Sequence, residues 1–352
     1  MKCKPFLKIG KRLIGEKYLP IIIVEIGINH NGKIKLAKEL IKIAQSCGAE
    51  IIKHQTHIPD DEMSIEAKKI IPVHTNENIY DIISNSSISY EQEKNFQNYV
   101  HKLGMTFLST PFSREAANRL NKMNVPAYKI GSGECNNYPL VEHICKFNKP
   151  IILSTGMNDI KRIKKAVKII ESHKISYALL HCTNLYPTPT KLIRLNAIDE
   201  IKKTFPKAVV GLSDHTGENY TSFAALGKGV SIIEKHFIDS KKRKGPDISA
   251  SIDKNQLRDL IIGSREIHKS LPGKVKPVQD EKNTANFAFA SVVSNENIKA
   301  GTILSKKNIW VRRPGTGDFK AEYYEKLIGR KIHKDIKKNT QLKKNHLKNA
   351  KK

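Results

Sequence analysis

Eight short apolar runs recur along the chain, at residues 20–27, 51–57, 106–112, 127–133, 150–156, 177–183, 209–216 and 231–237. Their length and continuity predict buried strands. Between most of them the period changes to that of a helix. Ile34, Ala37, Leu40, Ile41 and Ala44 share one face, as do Ile163, Ala166, Val167 and Ile170. Strands alternating with helices imply a parallel sheet. Eight such units predict an α/β fold of the (β/α)8 TIM-barrel type. An open doubly wound sheet is the weaker alternative, because no G-x-G-x-x-G follows the first strand.

A barrel of this kind carries its active residues at the C-terminal ends of its strands. Every run delivers polar groups there. The first ends in Glu25, Asn29 and His30, and the second holds Lys53, Gln55 and His57. The third ends in Ser109-Thr110-Pro111, the fourth carries Lys129, Ser132 and Glu134, and the fifth ends in Ser154-Thr155-Gly156. The sixth gives His181, Thr183, Asn184 and Tyr186. Side chains two apart on a strand point the same way, so Ser213 pairs with His215, and Glu234 with His236. If these last two strands are neighbours, both histidines reach one point, which suits a divalent metal. One histidine at a strand end is usually a hydrogen-bonded structural residue, and ligand type alone does not identify an ion. Lysine is rarely buried unless paired, yet Lys53 and Lys129 stand inside apolar strands. With serine and threonine hydroxyls beside them they suit an anionic ligand such as a phosphate. An ion pair with Glu25 or Glu134 inside the barrel mouth is the competing explanation.

Residues 58–91 form a long connection, acidic at Asp60, Asp61 and Glu62 and apolar at Ile70-Ile71-Pro72, expected to lie over the mouth. The barrel domain is expected over 1–270, a linker containing Pro272 and Pro277 over 271–286, and a small β-rich domain over 287–352. That last segment holds a weak repeat, 297–309 against 335–347. It aligns Gly301 with Asn339, two residue types that tolerate a left-handed turn. Between the halves a Gly/Pro loop carries Arg312 and Arg313, either as a ligand contact or as a solvated turn.

Composition adds bounds. With 39% hydrophobic and 27% charged residues in 352, the chain suits one large globular domain plus a small one. There is no membrane-length apolar run and no signal-peptide core. Cys3, Cys47, Cys135, Cys145 and Cys182 form no paired motif. The expectation is a cytoplasmic protein with reduced thiols and no membrane association. The net charge of +28 comes from lysine spread over nearly every helix. The densest run, 330–352, has no aromatic residue on which bases could stack, so no specific nucleic-acid partner is expected. A polyanion binder using that tail is the non-enzyme alternative.

Six pieces carry a resemblance: Glu25-Ile-Gly-Ile-Asn-His-Asn-Gly32, Lys53-His-Gln-Thr-His57, Lys129-Ile-Gly-Ser-Gly-Glu-Cys-Asn-Asn137, His181-Cys-Thr-Asn184 with Tyr186-Pro-Thr-Pro189, Gly211-Leu-Ser-Asp-His-Thr216 and Arg313-Pro-Gly-Thr-Gly-Asp-Phe319. In this order and spacing the chain resembles, over nearly its whole length, the bacterial sialic acid synthases (N-acetylneuraminate synthases). The resemblance implies a TIM barrel followed by an antifreeze-like (SAF) domain. It implies condensation of phosphoenolpyruvate with N-acetylmannosamine, release of phosphate, and a divalent metal, Mn2+ first with Mg2+ or Co2+ as alternatives. It also implies a homodimer in which each SAF domain caps the partner's barrel. It assigns the metal to His215 and His236. It places phosphoenolpyruvate at Lys53, Thr110, Lys129, Ser132, Ser154, Asn184 and Ser213. It places the sugar at Gln55, Glu134, Tyr186 and Asp247, with Phe287 and Arg313 arriving from the other subunit. Glu25 is the candidate to handle a proton, making Glu25, His215 and His236 the catalytic set. One departure is His74, where the family often has a sugar-contacting Asn. Sister synthases of legionaminic or pseudaminic acid are the nearest alternatives. The runs 53–57 and 133–138 favour N-acetylneuraminate. A metal-dependent barrel hydrolase is more distant, since it would not need two anion-seeking lysines.

Overall fold

A computed structural model of the protein describes residues 4–72 and 75–347; His74 and Cys3 lie outside the described residues. The chain divides into two compact units, up to Pro272 and from Gly273 onward.

The first unit opens with a hairpin of β1 (Leu7–Ile9) and β2 (Arg12–Ile14). Eight parallel strands follow: β3 (Ile21–Gly27), β4 (Ile51–Thr56), β5 (Thr106–Pro111), β6 (Tyr128–Ile130), β7 (Ile151–Ser154), β8 (Tyr177–Cys182), β9 (Val209–Asp214) and β10 (Ile232–His236). The hydrogen-bonded order is β5-β4-β3-β10-β9-β8-β7-β6. The end strands β5 and β6 lie side by side, so the sheet rolls into a nearly closed barrel. Helices stand between the strands as the periodicity predicts. Ile163, Ala166, Val167 and Ile170 bury one face of the helix Ile160–Ser172. On the helix Ile34–Ser46 the buried face starts at Leu36 rather than Ile34. No described helix is long and apolar enough to cross a membrane.

Strand alternation sorts the apolar residues into two layers. Outward residues such as Val24, Ile52, Phe107 and Leu179 pack on the helices. Inward residues Ile21, Ile23, Ile51, Leu108, Ile152, Leu180 and Ile232 fill the lower barrel and meet Leu7, Ile9 and Ile14 of the hairpin. The hairpin thus plugs the N-terminal end of the barrel. At Gly211 there is no room for a side chain: a Cβ would fall 2.4 Å from Leu180 Cδ2 and 2.6 Å from the Ile232 carbonyl oxygen.

The connection 58–91 departs from expectation. It is not a bare loop but three short helical pieces, Pro59–Glu62, Ile65–Lys69 and Ile79–Ser86. They start at local signals, Pro59 in the first turn and an Asn78 cap that accepts from the Asp81 N–H. Asp61 accepts from the Glu115 N–H at 2.8 Å, and Ile82 and Ile83 are buried.

In the second unit the expected linker is partly helical. Lys282–Ala288 is a helix and contains Phe287, where short strands were expected to begin. β11 (Ser291–Ser294) pairs antiparallel with β12 (Ile309–Arg312). The two repeat halves clasp each other: Ile298 and Ile336 exchange both backbone hydrogen bonds at 2.8 Å. Gly301 (φ 92°) and Asn339 (φ 58°) both adopt the left-handed turn. Val292, Ile298, Leu304, Ile309, Leu327, Ile332, Ile336 and Leu342 form this unit's core.

Candidate active site

Two residues further along from the inward layer, the character of seven of the eight barrel strands flips, while on β8 Leu180 is followed by Cys182. Ile23 gives way to Glu25, Ile51 to Lys53, Leu108 to Thr110, Ala127 to Lys129, Ile152 to Ser154, Gly211 to Ser213 and Ile232 to Glu234. These side chains meet across the barrel. Lys53 Nζ lies 2.5 Å from Glu25 Oε2 and 3.8 Å from Glu234 Oε2, and donates to Thr110 Oγ1 at 3.1 Å. Lys129 Nζ donates to Ser154 Oγ at 2.7 Å and lies 3.7 Å from Glu234 Oε1, which also accepts from Ser213 Oγ at 3.0 Å. Gln55 Nε2 donates to Glu25 Oε1 at 2.9 Å. The lysines therefore have carboxylate partners, Glu25 and Glu234 rather than Glu134.

Burial sets the protonation of this layer. Burial pushes the Glu25 carboxyl up, against the pull of Lys53, while Glu234 adds to the rise. Burial acts the same way on Glu234, but Lys129 and Lys53 overcome it and hold that carboxyl below the usual range. Burial lowers Lys129, with Glu234 opposing. Burial also works against the Lys53 ammonium, yet Glu234 and Glu25 outweigh it and hold its pKa above the usual lysine value. The two carboxyls are thus driven in opposite directions, Glu25 upward and Glu234 downward.

One strand position higher, His215 and His236 face each other with ring centres 5.3 Å apart. His215 Nδ1 lies 3.1 Å from the Thr183 carbonyl oxygen, which can only accept, so Nδ1 carries the proton. Its Nε2 lone pair then has only long contacts, 3.4 Å to Ser213 Oγ and 3.4 Å to the Tyr186 hydroxyl. His236 Nδ1 is buried without a hydrogen bond, 3.4 Å from Asp247 Oδ2. The Tyr186 ring stacks on His215 at 4.3 Å and meets His236 edge-on at 5.7 Å. Burial brings His215 down to about 4 and His236 well below the usual histidine value, so both rings are neutral. Burial, reinforced by Glu25, pushes Asp247 up to about 7. Neutral imidazoles with under-used lone pairs fit a divalent cation. No group of three or more His, Cys, Asp or Glu side chains among the described residues forms a metal cage. Two histidines alone would leave most coordination positions of such an ion to other ligands.

On the β6–β8 side, Ser132 Oγ accepts from the Gly156 N–H at 3.0 Å. A Cβ at Gly156 would fall 2.0 Å from Asn184 Oδ1, so glycine is required for Asn184 to approach. Cys182 Sγ donates to Asn184 Oδ1 at 3.2 Å, and burial pushes its thiol up to about 11. Glu134, half-buried in the turn Gly133–Asn136, accepts from Asn137 Nδ2 at 2.7 Å; burial, with Glu62 adding, raises its carboxyl. Phe287 and Arg313 belong to the second unit, where both are exposed. There the Gly315 N–H donates to the Asn286 carbonyl at 2.7 Å, tying the arginine-bearing loop to the Phe287 helix.

Glu234 was recognised in the sequence only as sharing a side with His236. Its spacing was the available signal, but its contact with both lysines depends on cross-barrel distances that spacing does not encode. The sequence pattern likewise assigns His57 no role. It bridges Gln55 Oε1 (3.1 Å) and Glu62 Oε2 (2.7 Å) and stacks on Phe112.

Residues 40–276 match the NeuB family, and residues 289–348 match the SAF domain. The N,N'-diacetyllegionaminic acid synthase of Campylobacter jejuni is 35% identical over 325 residues, 90% of this chain and 97% of that one. The mouse N-acetylneuraminate-9-phosphate synthase is 30% identical over 327 residues, 91% and 90% of the two chains. Among solved structures, N-acetylneuraminic acid synthetase from Leptospira borgpetersenii, in complex with citrate, superposes with a TM-score of 0.73 at 26% identity. That match covers 80% of this chain and 95% of that one.

Proposed function

The chain belongs to the NeuB family, and we propose on that premise that it joins phosphoenolpyruvate to open-chain N-acetylmannosamine, releasing phosphate and forming N-acetylneuraminate. The observation that carries this reading is the buried pair Lys53 and Lys129, sharing Glu234 inside a ring of hydroxyls and facing two neutral histidines. The ammonium groups, with Thr110, Ser132, Ser154, Ser213 and Asn184, would hold the phosphate and carboxylate of phosphoenolpyruvate. Gln55, Tyr186 and Asp247 border the space beside His215 and His236 and would orient the sugar. C3 of phosphoenolpyruvate attacks the aldehyde carbon, and the aldehyde oxygen takes up a proton. Water adds to the cationic C2 and gives up a proton, and the tetrahedral intermediate collapses with loss of phosphate. Glu25, its carboxyl pushed toward the protonated form, is placed to move one of those protons. His215 and His236 would hold a divalent ion, Mn2+ by preference, whose contribution is Lewis-acid polarisation of the aldehyde.

A second reading, a legionaminic acid synthase, is favoured by the 35% identity to the Campylobacter enzyme. Phosphate release with phosphoenolpyruvate and each of N-acetylmannosamine and the legionaminic and pseudaminic precursor sugars decides between them, with mass spectrometry of the product. The highest kcat/KM is expected with N-acetylmannosamine. A higher value with the legionaminic precursor would replace the first reading with the second. Phosphate release without any sugar would remove both.

A further inference from the structure

The charged groups of the inner layer are buried and already engaged with one another. Its two lysines are matched by Glu25 and Glu234, and Asp247 adds a third carboxyl beside His236. The β4 side of the mouth is acidic, with Asp60, Asp61 and Glu62 on the helix Pro59–Glu62. Exposed charge on the rim adds to what the inner layer supplies.

The loop after β10 supplies it. Residues 241–244 read Lys-Lys-Arg-Lys, all exposed, and end three residues before Asp247. The loop leaves β10 at His236 and is tied to its neighbours: Asn31 Nδ2 donates to the Lys244 carbonyl at 3.3 Å, and Lys241 Nζ to the Gly217 carbonyl at 3.1 Å. Across a groove of about 450 Å³, Lys33 at the start of the helix Ile34–Ser46 and Lys35 in its first turn face Arg243 and Lys244, with Glu39 of the same helix also lining the groove. Arg243 is held by Asp239 through two 2.6 Å hydrogen bonds, and Lys241 has Glu218 at 3.7 Å. Lys33, Lys35, Lys242 and Lys244 make no ion pair among the described residues, although 20 other ion pairs occur there. Lys33, Lys35, Lys242 and Lys244 thus stand exposed at the β3 and β10 ends of the mouth, with Glu39 as the acidic residue lining the same groove.

We propose that Lys33, Lys35, Lys242 and Lys244 form an anion-gathering rim that raises the local concentration of phosphoenolpyruvate at the barrel mouth. The proposal rests on the reading of the site as a phosphoenolpyruvate site. Charges lining one side of a cleft can raise association of an oppositely charged ligand by roughly tenfold or more at low salt. The effect is screened once the Debye length, about 8 Å at physiological ionic strength, shrinks further. The rim touches no reacting atom, so it acts on capture and not on chemistry.

The test compares wild type with Lys33→Gln/Lys242→Gln/Lys244→Gln and with the matching triple arginine variant. Phosphoenolpyruvate binding is measured by calorimetry from about 20 to about 500 mM KCl, together with turnover. At low salt the glutamine variant should bind phosphoenolpyruvate roughly three- to tenfold more weakly, with kcat and the sugar KM unchanged and the gap closing at high salt. The arginine variant should behave as wild type. Wild-type salt dependence in the glutamine variant overturns the rim. So does a change confined to the sugar KM, which would mean that these lysines meet an anionic group on the sugar. No phosphoenolpyruvate binding by the wild type would instead overturn the functional reading, and the rim with it.

Discussion

Lys129 is fully enclosed and keeps one carboxylate, Glu234, within reach. Replacing it with alanine removes a cation from the proposed anion site and leaves Lys53 as the remaining partner of Glu234. Loss of a charged hydrogen-bond donor costs about 1.5–3 kcal/mol, roughly ten- to a hundredfold in affinity. Lys129→Ala should therefore raise the phosphoenolpyruvate KM by that factor while moving the sugar KM little; steady-state kinetics with each substrate varied in turn would show otherwise if Lys129 serves the sugar. His30 makes a different prediction. Burial, with His54 and His57 adding, lowers it to about 3, and burial likewise lowers His215 to about 4. Both groups have folded pKa values below the unfolded value near 6.5. Between about 6.5 and 3 the unfolded chain binds protons that the folded chain refuses, so stability rises with pH in that window. It is fully present above 6.5 and is lost at about 1.4 kcal/mol per unit per group as pH falls. The urea midpoint should drop between pH 7 and pH 5, and His30→Asn should flatten that slope; an unaltered slope would show that His30 does not carry the term.

The barrel strands were legible because each is a short apolar run with a polar end, and the inward register was legible at Ser213/His215 and Glu234/His236. Two elements were hidden for physical reasons. β1 and β2 are three residues long, too short for their alternation to stand out, yet Leu7, Ile9 and Ile14 are at most 1% exposed. The helical pieces within 58–91 are too short for a 3.6-residue period to emerge. The hairpin's role can be separated from chemistry because it packs on the apolar lower layer and not on the charged layer above. Ile9→Ala removes a buried side chain from a site walled by other elements. It should destabilise the protein by about 2–5 kcal/mol, the usual range for such a truncation. Turnover per folded molecule should stay near wild type. Differential scanning and activity at low temperature measure the two effects; a loss of kcat without loss of stability would tie the hairpin to the active site instead.

The second unit carries two residues assigned to the sugar by resemblance, and the structure brings their supporting elements together: the helix bearing Phe287 and the loop bearing Arg313 meet through Gly315 and Asn286. A Cβ at Gly315 would fall 2.6 Å from Phe289 Cβ, which fixes that loop against the end of the helix. Phe287 is 63% exposed, a large apolar side chain left to solvent. An exposed aromatic and an exposed arginine on joined elements are what an intersubunit contact would use, since Arg presents a planar fork of donors to a carbonyl such as that of an N-acetyl group. The internal repeat made this unit legible as a separate domain, but its target lies beyond what spacing along one chain encodes. We propose that Arg313 acts on the partner's site in a homodimer, and subunit mixing tests it. Arg313→Ala and His236→Ala should each be nearly inactive alone. In a mixed dimer, the Arg313→Ala subunit contributes an intact His236 and the His236→Ala subunit contributes an intact Arg313. If the arginine reaches across, one of the two sites receives both, so each mixed dimer should have about half the activity of a wild-type dimer and random exchange of equal amounts should restore about a quarter. If the arginine serves its own chain, each site lacks one residue and mixing restores nothing. Exchange is verified independently by mass-tagged subunits. Restored phosphate release then supports the trans arrangement, and its absence despite verified exchange refutes it.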